Sequence, residues 1–316
     1  MSATHVGLVG CGHWGQNLLR DLKLLGAQVS VVARSEESRA RADRHGADAI
    51  VGDLARMPRV DAVYIATTVG THADVIDAVL DRGVPIFCEK PLCDDVARAD
   101  DLAERGAARL FVLDKWRYHP GVVEIARIAK SGELGPVIGL STRRLGWGSA
   151  HSDASAIWVL GPHDLAIGLE ILGRVPPLRA AVVDGIDGVG GARGVMSGAA
   201  ALMADESAWL SIEISERSPD RIRSIQLLCR EGGVTLSDTS ADHVSVYRIA
   251  VGETSRRYEV ERRRISEEWP LKIMLAETLR FLSGGPPPKT PARDGAIVVR
   301  RLSEIVEGAS SGHWHR

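Results

Sequence analysis

A glycine-rich turn near the N-terminus constrains the fold more than any other feature of this sequence. The segment Gly10-Cys11-Gly12-His13-Trp14-Gly15 lies between an apolar run, Val6–Val9, and a stretch of helical period. A G-x-G-x-x-G sequence between a strand and a helix is typical of dinucleotide sites. There the glycines permit the tight turn, the approach of the pyrophosphate and close helix packing, and the helix N-terminus faces the diphosphate. We therefore predict that Gly10, Gly12, His13, Trp14 and Gly15 bind a dinucleotide.

Strand and helix patterns alternate over the first third of the chain. The predicted strands are Val6–Val9, Gln28–Ala33, Ala62–Ala66, Pro85–Cys88 and Leu110–Leu113. The predicted helices between them include Ser35–His45, Thr71–Arg82 and Asp94–Gly106. Continuously apolar strands separated by helices indicate a parallel sheet covered on both faces. Residues 1–118 are therefore predicted to form a doubly wound Rossmann domain.

The pattern changes after Trp116, where most predicted strands follow one another without helices between them. These strands are Val137–Arg144, Arg179–Asp184, Gly194–Met203, Ala208–Ser215, Ser224–Arg230, Gly233–Ser237 and His243–Ile249. The helices in this part are predicted at Val122–Lys130, Pro162–Leu172, Ile273–Phe281 and Gly295–Gly308. Successive strands favour a largely antiparallel sheet. Residues 119–316 are therefore predicted to form a second domain, for substrate binding and oligomerisation.

Composition excludes several classes of protein. The net charge of -2 gives no reason to expect nucleic acid or an anionic membrane as a partner. No apolar run approaches the roughly 20 residues that span a bilayer, and the first residues do not resemble a signal peptide. The four scattered cysteines form no disulfide framework and no metal site. We expect a cytoplasmic protein without a metal.

The end of the second predicted strand bears on the choice of cofactor. An acid at this position binds the ribose hydroxyls of NAD(H), whereas this chain has Arg34-Ser35. A guanidinium and a hydroxyl suit a 2′-phosphate, and Arg39, about one helical turn further on, could add charge. NADP(H) is therefore favoured, while Glu36 or Glu37 could still take the ribose and make NAD(H) possible.

A second motif, Glu89-Lys90-Pro91, follows the fourth predicted strand, and further short motifs follow in order along nearly the whole chain. They are Ile65-Ala66-Thr67-Thr68 with His72, Arg117-Tyr118-His119-Pro120, Gly161-Pro162-His163-Asp164, and Pro270–Phe281 followed by Asp294-Gly295. Together with the glycine-rich turn, this series resembles the glucose–fructose oxidoreductase / inositol dehydrogenase / rhizopine catabolism (Gfo/Idh/MocA) family.

The resemblance implies a Rossmann domain followed by an α/β domain with an open, mostly antiparallel sheet. It also implies a homodimer or homotetramer through the outer face of that sheet. The implied reaction is hydride transfer between NAD(P) and a sugar or sugar-derivative carbonyl or alcohol. In that reading Lys90 and His163 handle the substrate oxygen and its proton, and Glu89 positions the nicotinamide or Lys90. Thr67 and His72 would lie under the adenosine side of the cofactor.

Four further residues are candidates for the substrate pocket. The indoles of Trp147 and Trp158 could stack on a sugar ring, although tryptophan is more often a core residue. Arg117 could contact the cofactor or an anionic substrate, and a structural salt bridge is an equal alternative. Asp164 is expected in the first turn of its helix, either near substrate or simply as a favourable N-terminal charge.

One position departs from the resemblance. Many family members carry an aspartate four residues before the histidine, where this chain has Val159. Either Lys90 and His163 suffice, or another group such as His151 or Asp153 substitutes, or the chemistry has been lost. A nucleotide-binding sensor or scaffold protein is therefore the alternative function. A redox-neutral glycosidase that uses a bound cofactor is a weaker one.

Overall fold

A computed structural model describes residues 3–147, 155–184, 198–251 and 256–310. Its helices are α1 (Gly15–Leu24), α2 (Glu36–Arg44), α3 (His72–Leu80), α4 (Val96–Arg105), α5 (Pro120–Ser131), α6 (Ala156–Leu172), α7 (Pro270–Leu282) and α8 (Ala292–Ser310). Its strands are β1 (His5–Val9), β2 (Gln28–Val32), β3 (Ala49–Val51), β4 (Ala62–Ile65), β5 (Ile86–Glu89), β6 (Leu110–Leu113), β7 (Val137–Trp147), β8 (Leu178–Asp184), β9 (Gly198–Ala204), β10 (Trp209–Ser215), β11 (Arg217–Cys229), β12 (Gly232–Leu236), β13 (His243–Val251) and β14 (Arg256–Arg264). Within these ranges, no helix is long and apolar enough to cross a membrane.

The chain forms two compact units. The first holds the chain up to Tyr118 together with Glu268–Val299, and the second holds His119–Glu267 and the chain from Arg300 onward. The first boundary between the units falls between Tyr118 and His119. The return of Glu268–Val299 to the first unit was not predicted, because the sequence analysis assigned that segment to the second domain.

The first unit is built on a six-stranded sheet in the order β3-β2-β1-β4-β5-β6. All of its neighbouring strands are parallel. This order is that of a doubly wound sheet, in which ligands bind beyond the carboxyl ends of the strands where the strand order reverses. The predicted Rossmann fold is confirmed. The sequence analysis missed β3, which has only three residues.

Helix α7 completes the core of the first unit. Its buried residues, Leu271, Met274, Leu275 and Thr278, recur at helical spacing. The Thr278 hydroxyl is 2.7 Å from the hydroxyl of Tyr64, a buried residue of β4. Such periodicity shows that a helix has an apolar face but not which sheet that face covers, so the sequence could not assign α7 to this unit.

The second unit is built on an eight-stranded sheet in the order β14-β13-β12-β11-β7-β10-β9-β8. Its pairs are antiparallel except for β7 with β10, which confirms the predicted mostly antiparallel sheet. Helices α5 and α6 pack on the sheet at two close approaches. A Cβ added to Gly121 of α5 would lie 2.8 Å from Leu236, and one added to Gly168 of α6 would lie 2.7 Å from Leu210. The face that these helices cover is called the inner face below.

The outer face of the same sheet carries exposed apolar side chains. Ile249 is opposite Tyr258, and Tyr247 is opposite Val260, in the β13–β14 register. Three of these side chains are about half exposed or more: Ile249 48%, Val260 50% and Tyr258 70%. Further along the sheet, the indole of Trp209 lies over Gly139, where a Cβ would come within 2.1 Å of the ring. The outer face is therefore a broad surface with aromatic and aliphatic side chains.

The edge strand β14 was not predicted. Five of its nine residues are arginine, so it lacks the apolar pattern of a strand. Instead, Arg263 forms ion pairs of 3.1 Å with Glu124 and 2.9 Å with Glu133. These pairs fasten the strand to α5 and to the turn that follows it. Charged edge strands are common because they oppose further strand pairing.

Candidate active site

Two glycines of the β1–α1 turn are required by the protein's own packing. Gly10 has a φ of 91°, and a Cβ there would lie 2.7 Å from the carbonyl oxygen of Ala66. A Cβ on Gly15 would lie 2.3 Å from the carbonyl oxygen of Gly10. These approaches hold α1 close against the turn and the end of β4.

Gly12 differs from the other two glycines of the motif. A Cβ at Gly12 would meet no protein atom within 4 Å. The helix that follows has no side-chain cap at Trp14 and no acid in its first turn. Neighbouring His13 is exposed, and its carbonyl accepts a hydrogen bond from the Gln16 side chain. Open space beside an uncapped helix N-terminus fits a dinucleotide diphosphate.

The end of β2 presents basic side chains and a helix cap. Arg34 is exposed directly after the strand. The Arg39 Nε donates to the carbonyl of Ala33 at 3.1 Å, which returns this side chain from α2 to the strand end. Ser35 is the N-cap of α2, and its hydroxyl accepts from the Ser38 N–H at 3.2 Å.

Glu36 and Glu37 have a structural explanation of their own. Both are exposed and lie in the first turn of α2. Acids at that position interact favourably with the positive end of the helix dipole. They are therefore accounted for without a ribose.

Four residues, Trp14, Glu89, Lys90 and Lys115, form a cluster where the glycine-rich turn meets the end of β5. The indole Nε1–H of Trp14 donates to Glu89 Oε1 at 2.5 Å, and the Lys90 main-chain N–H donates to Glu89 Oε2 at 3.3 Å. The Lys115 ammonium lies 4.3 Å from the centre of the Trp14 ring. Lys115 was not predicted as a site residue, and its position just after β6 was the only sequence signal for it.

Glu89 is 6% exposed, and its ionisation depends on this cluster. Burial raises the pKa of Glu89 to about 7, while the positive charge of Lys90, the Trp14 indole and the positive charge of Lys115 oppose that rise. A carboxyl group with such a pKa can gain or lose a proton near neutral pH. It is therefore able to exchange a proton beside Lys90.

His72 joins the two turns that follow β4 and β5. It is 1% exposed, with Nδ1 2.9 Å from the Pro91 carbonyl oxygen and Nε2 3.1 Å from that of Thr67. Burial lowers the pKa of His72. The Thr67 hydroxyl in turn accepts a hydrogen bond from Thr71 at 2.8 Å. The structure thus gives His72 a positioning role, and contact of either residue with a cofactor stays a prediction.

Arg117 is held within the first unit. It is buried, and its Nη1 lies 2.5 Å from Oδ2 of Asp294 at the start of α8. This ion pair matches the structural alternative that the sequence analysis left open for Arg117.

The position of Asp164 corrects an expectation. Helix α6 begins at Ala156, so Gly161-Pro162 lies inside it and Asp164 is in its third turn rather than its first. Asp164 is 1% exposed and receives a bidentate pair from Arg144 of β7, at 2.8 Å and 3.3 Å. Asp164 is therefore a buried ion-pair partner and not an N-terminal helix charge.

The other candidates in the second unit lie on α6 and at the end of β7. His163, Trp158 and Val159 are half-buried, with Val159 one turn before His163 on the same helix. Trp147 ends β7 and is 70% exposed. The suggested replacements His151 and Asp153 lie outside the described residues.

The first unit is thus a Rossmann domain whose glycine-rich turn has room for a dinucleotide. Residues 4–110 match the family model described as "Oxidoreductase family, NAD-binding Rossmann fold". The resemblance to the Gfo/Idh/MocA oxidoreductase family is confirmed for this domain.

One curated relative and two solved structures indicate the extent of the likeness. Inositol 2-dehydrogenase 2 of Saccharopolyspora erythraea is 30% identical over 187 residues, which cover 54% of each chain. The alignment thus spans about half the length of that relative.

The structural matches cover almost the whole chain. UDP-N-acetylglucosamine 3-dehydrogenase of Acidithiobacillus ferrooxidans has a TM-score of 0.80 at 19% identity, over 98% of this chain and 99% of that one. An oxidoreductase of Agrobacterium radiobacter, in complex with NAD+, L-tartaric acid and magnesium, has a TM-score of 0.81 at 20% identity, over 99% and 98%. At these identities the likeness establishes a shared fold.

Proposed function

We propose that this protein is an NAD(P)-dependent oxidoreductase that transfers hydride to or from the carbonyl or alcohol carbon of a sugar or sugar derivative. The observation that carries the proposal is the Trp14–Glu89–Lys90 cluster, which places ionisable groups beside the glycine-rich turn. The dehydrogenase activity of the relative named above supports the same reaction class. When bound, the nicotinamide supplies or accepts the hydride.

Lys90 is the group to which we assign the proton of the substrate oxygen. Its ammonium can donate to a carbonyl oxygen in the reductive direction, and its amine can take the hydroxyl proton in the oxidative one. Glu89, with a pKa near neutrality, can accept or return that proton. His163 is assigned a second hydrogen bond to the same oxygen.

The proposed cofactor is NADP(H). Arg34 is exposed at the end of β2, and Arg39 is held against the same strand end by the Ala33 carbonyl. Two guanidinium groups there favour a 2′-phosphate, whereas NAD(H) would need an acid in that place. The first-turn position of Glu36 and Glu37 in α2 explains those acids separately.

Replacement of Lys90 tests the reaction. We expect Lys90→Ala to lower turnover by at least about 10²-fold, the usual scale of a lost general acid–base group, and to leave NADPH binding within about threefold. NADP+ reduction would be followed over myo-inositol, D-xylose, D-glucose and D-glucuronate, with the exposed Lys130→Ala as the matched control. Unchanged turnover in Lys90→Ala would remove the role assigned to it.

A nucleotide-binding sensor or scaffold is the second candidate function, and Val159 is the observation that favours it. The valine stands one turn before His163 on α6, where it can neither accept nor orient a proton. Binding of NADPH without any substrate oxidation, and oxidation that appears only in Val159→Asp, would favour this second function.

We also propose that two copies of the chain assemble through the outer face of the second sheet. The aromatic and aliphatic side chains of β13 and β14 are those that protein interfaces favour, and they lie exposed in a single copy. A second copy of the same face would cover them. The assembly is therefore a homodimer, or a homotetramer built from such dimers.

A further inference from the structure

Three arginines, Arg144, Arg221 and Arg223, lie near one another at one end of the second sheet, and Arg144 and Arg223 are on its inner face. Arg144 of β7 is directly opposite Arg223 of β11 in the strand register. Arg221 lies two residues before Arg223, where the register of β11 with β7 becomes irregular, and its positive charge acts on both Arg223 and Asp238. The neighbours further along these strands on this face, Thr142 and Ile225, are buried.

Only one of the three arginines has a carboxylate partner among the described residues. Arg144 is held by the bidentate pair with Asp164. In the described part of the chain, neither Arg221 nor Arg223 has a carboxylate within ion-pair distance. The nearby carboxylate of Asp238 instead accepts from the N–H and the hydroxyl of Ser240, at 2.8 Å and 2.6 Å.

Arg223 is anchored along one side of its guanidinium. Its Nη1 donates to the main-chain carbonyls of Leu145 at 2.5 Å and of Ile222 at 2.9 Å. These bonds fix the plane of the group and leave Nε and Nη2 without a hydrogen-bond partner among the described residues. A fixed guanidinium with a free edge has the donor geometry that binds a carboxylate or a phosphate in a bidentate manner.

Burial and neighbouring positive charge disfavour the charged form of Arg223. Like charges directly opposite one another in a sheet are destabilising. Burial lowers the pKa of Arg223 and the positive charges of Arg144 and Arg221 lower it further, while the carboxylates of Asp164 and Asp238 oppose the shift without cancelling it. An anionic group of a ligand would offset this cost at Arg223, as the Asp164 carboxylate does at Arg144.

We propose that Arg221 and Arg223 form a subsite for an anionic group, a carboxylate or a phosphate, carried by the substrate. The subsite lies next to the Arg144–Asp164 pair, and Asp164 adjoins His163 in α6. An anionic group bound there would orient the substrate relative to His163. This inference rests on the proposed oxidoreductase function and narrows its substrate class to acidic or phosphorylated sugars.

Calorimetric titration of the NADPH-saturated protein tests the subsite with three probes of matched shape. They are D-glucuronate for the carboxylate, D-glucose 6-phosphate for the phosphate, and neutral D-glucose. We expect one of the two anions to bind at least about tenfold more tightly than D-glucose, and the tighter one identifies the group. The preference should fall to less than about twofold in Arg223→Gln and in Arg221→Gln.

A second variant and a control variant separate loss of the subsite from loss of the fold. Arg221 is exposed, so Arg221→Gln is expected to fold even if Arg223→Gln does not. Arg262→Gln, an exposed arginine opposite Ser245 on the outer face, is the matched control and should keep the preference. Equal binding of all three probes, or an anion preference that survives in Arg221→Gln, would overturn the subsite. Failure of the proposed function would instead show as a lack of NADP+ reduction with every sugar tried, whatever the binding preference.

Discussion

Among the three glycines of the β1–α1 turn, Gly12 is the one at which no neighbouring protein atom would clash with a side chain. Gly10 and Gly15 are fixed by carbonyl oxygens within 2.7 Å and 2.3 Å of an added Cβ. Gly12 faces open space, so a ligand is the natural reason for its identity. A methyl group added at Gly12 is therefore expected to affect cofactor binding and not the stability of the fold.

We expect Gly12→Ala to weaken NADPH binding by at least about tenfold, or about 1.4 kcal/mol, because the methyl group enters the path of the diphosphate. The free energy of unfolding should change by less than about 1 kcal/mol, since no neighbour is displaced. Gly15→Ala is the matched contrast and should destabilise the fold. Fluorescence titration and urea unfolding measure the two effects, and normal NADPH affinity in Gly12→Ala would count against this location of the diphosphate.

The residues of the site were predictable only to the extent that they belong to local motifs. The glycine-rich turn and Glu89-Lys90 are each a run of consecutive residues, so each can be recognised in the sequence. In the structure, the hydrogen bond from Trp14 to Glu89 joins the two motifs. Lys115 and Arg223 belong to no motif. Their possible roles depend on residues distant in sequence, the Trp14 ring for Lys115 and strand β7 for Arg223. Arg144 had a detectable signal, because it shares the inward-facing parity of Leu140 and Thr142 in β7.

At the scale of elements, most strands of both sheets are predicted from the sequence, and the two exceptions are a three-residue strand and an arginine-rich one. Leu110–Leu113 was predicted to the residue, and the apolar strands of the first unit were predicted within a residue or two. Strand β3 was not predicted because three residues are too few to show a period, and β14 was not predicted because five of its nine residues are arginine. Their stability comes from pairing and ion pairs with distant residues.

The start of helix α6 was predicted wrongly because of the proline inside it. Proline favours the first turn of a helix, so the sequence predicts a helix that begins at Pro162. The structure instead begins α6 at Ala156, after the N-cap Ser155, and carries Pro162 in its interior. As a result, Asp164 does not lie in the first turn of the helix, as predicted, and instead forms a buried ion pair with Arg144.

At the scale of the whole molecule, the chain passes between the two units three times, and only the first of these points, after residue 118, was predicted. The chain returns to the first unit at Glu268 and leaves it again after Val299. A linear sequence pattern does not reveal such a return, because α7 and the start of α8 have amphipathic patterns that would suit either sheet.

Assembly is the prediction that belongs to this scale. We expect the wild-type protein to have at least twice the 34.0 kDa mass of one chain, because pairing covers the apolar outer face. The double variant Ile249→Lys with Val260→Lys should shift it toward the monomer by placing charges in that face. Light scattering coupled to size-exclusion chromatography measures both masses. Val123→Lys, on an exposed apolar residue of α5, is the control, and a monomeric wild type would contradict the proposal.

The central claim is that the first unit binds a dinucleotide and selects NADP(H) through Arg34 and Arg39. Parallel fluorescence titrations of the wild-type protein with NADPH and NADH test it most directly. We expect NADPH to bind at least about tenfold more tightly, since its 2′-phosphate adds charge-assisted hydrogen bonds, and Arg34→Ala to remove most of the difference. Tighter binding of NADH would contradict the selection and assign the ribose to Glu36 or Glu37, and binding of neither would contradict the claim as a whole.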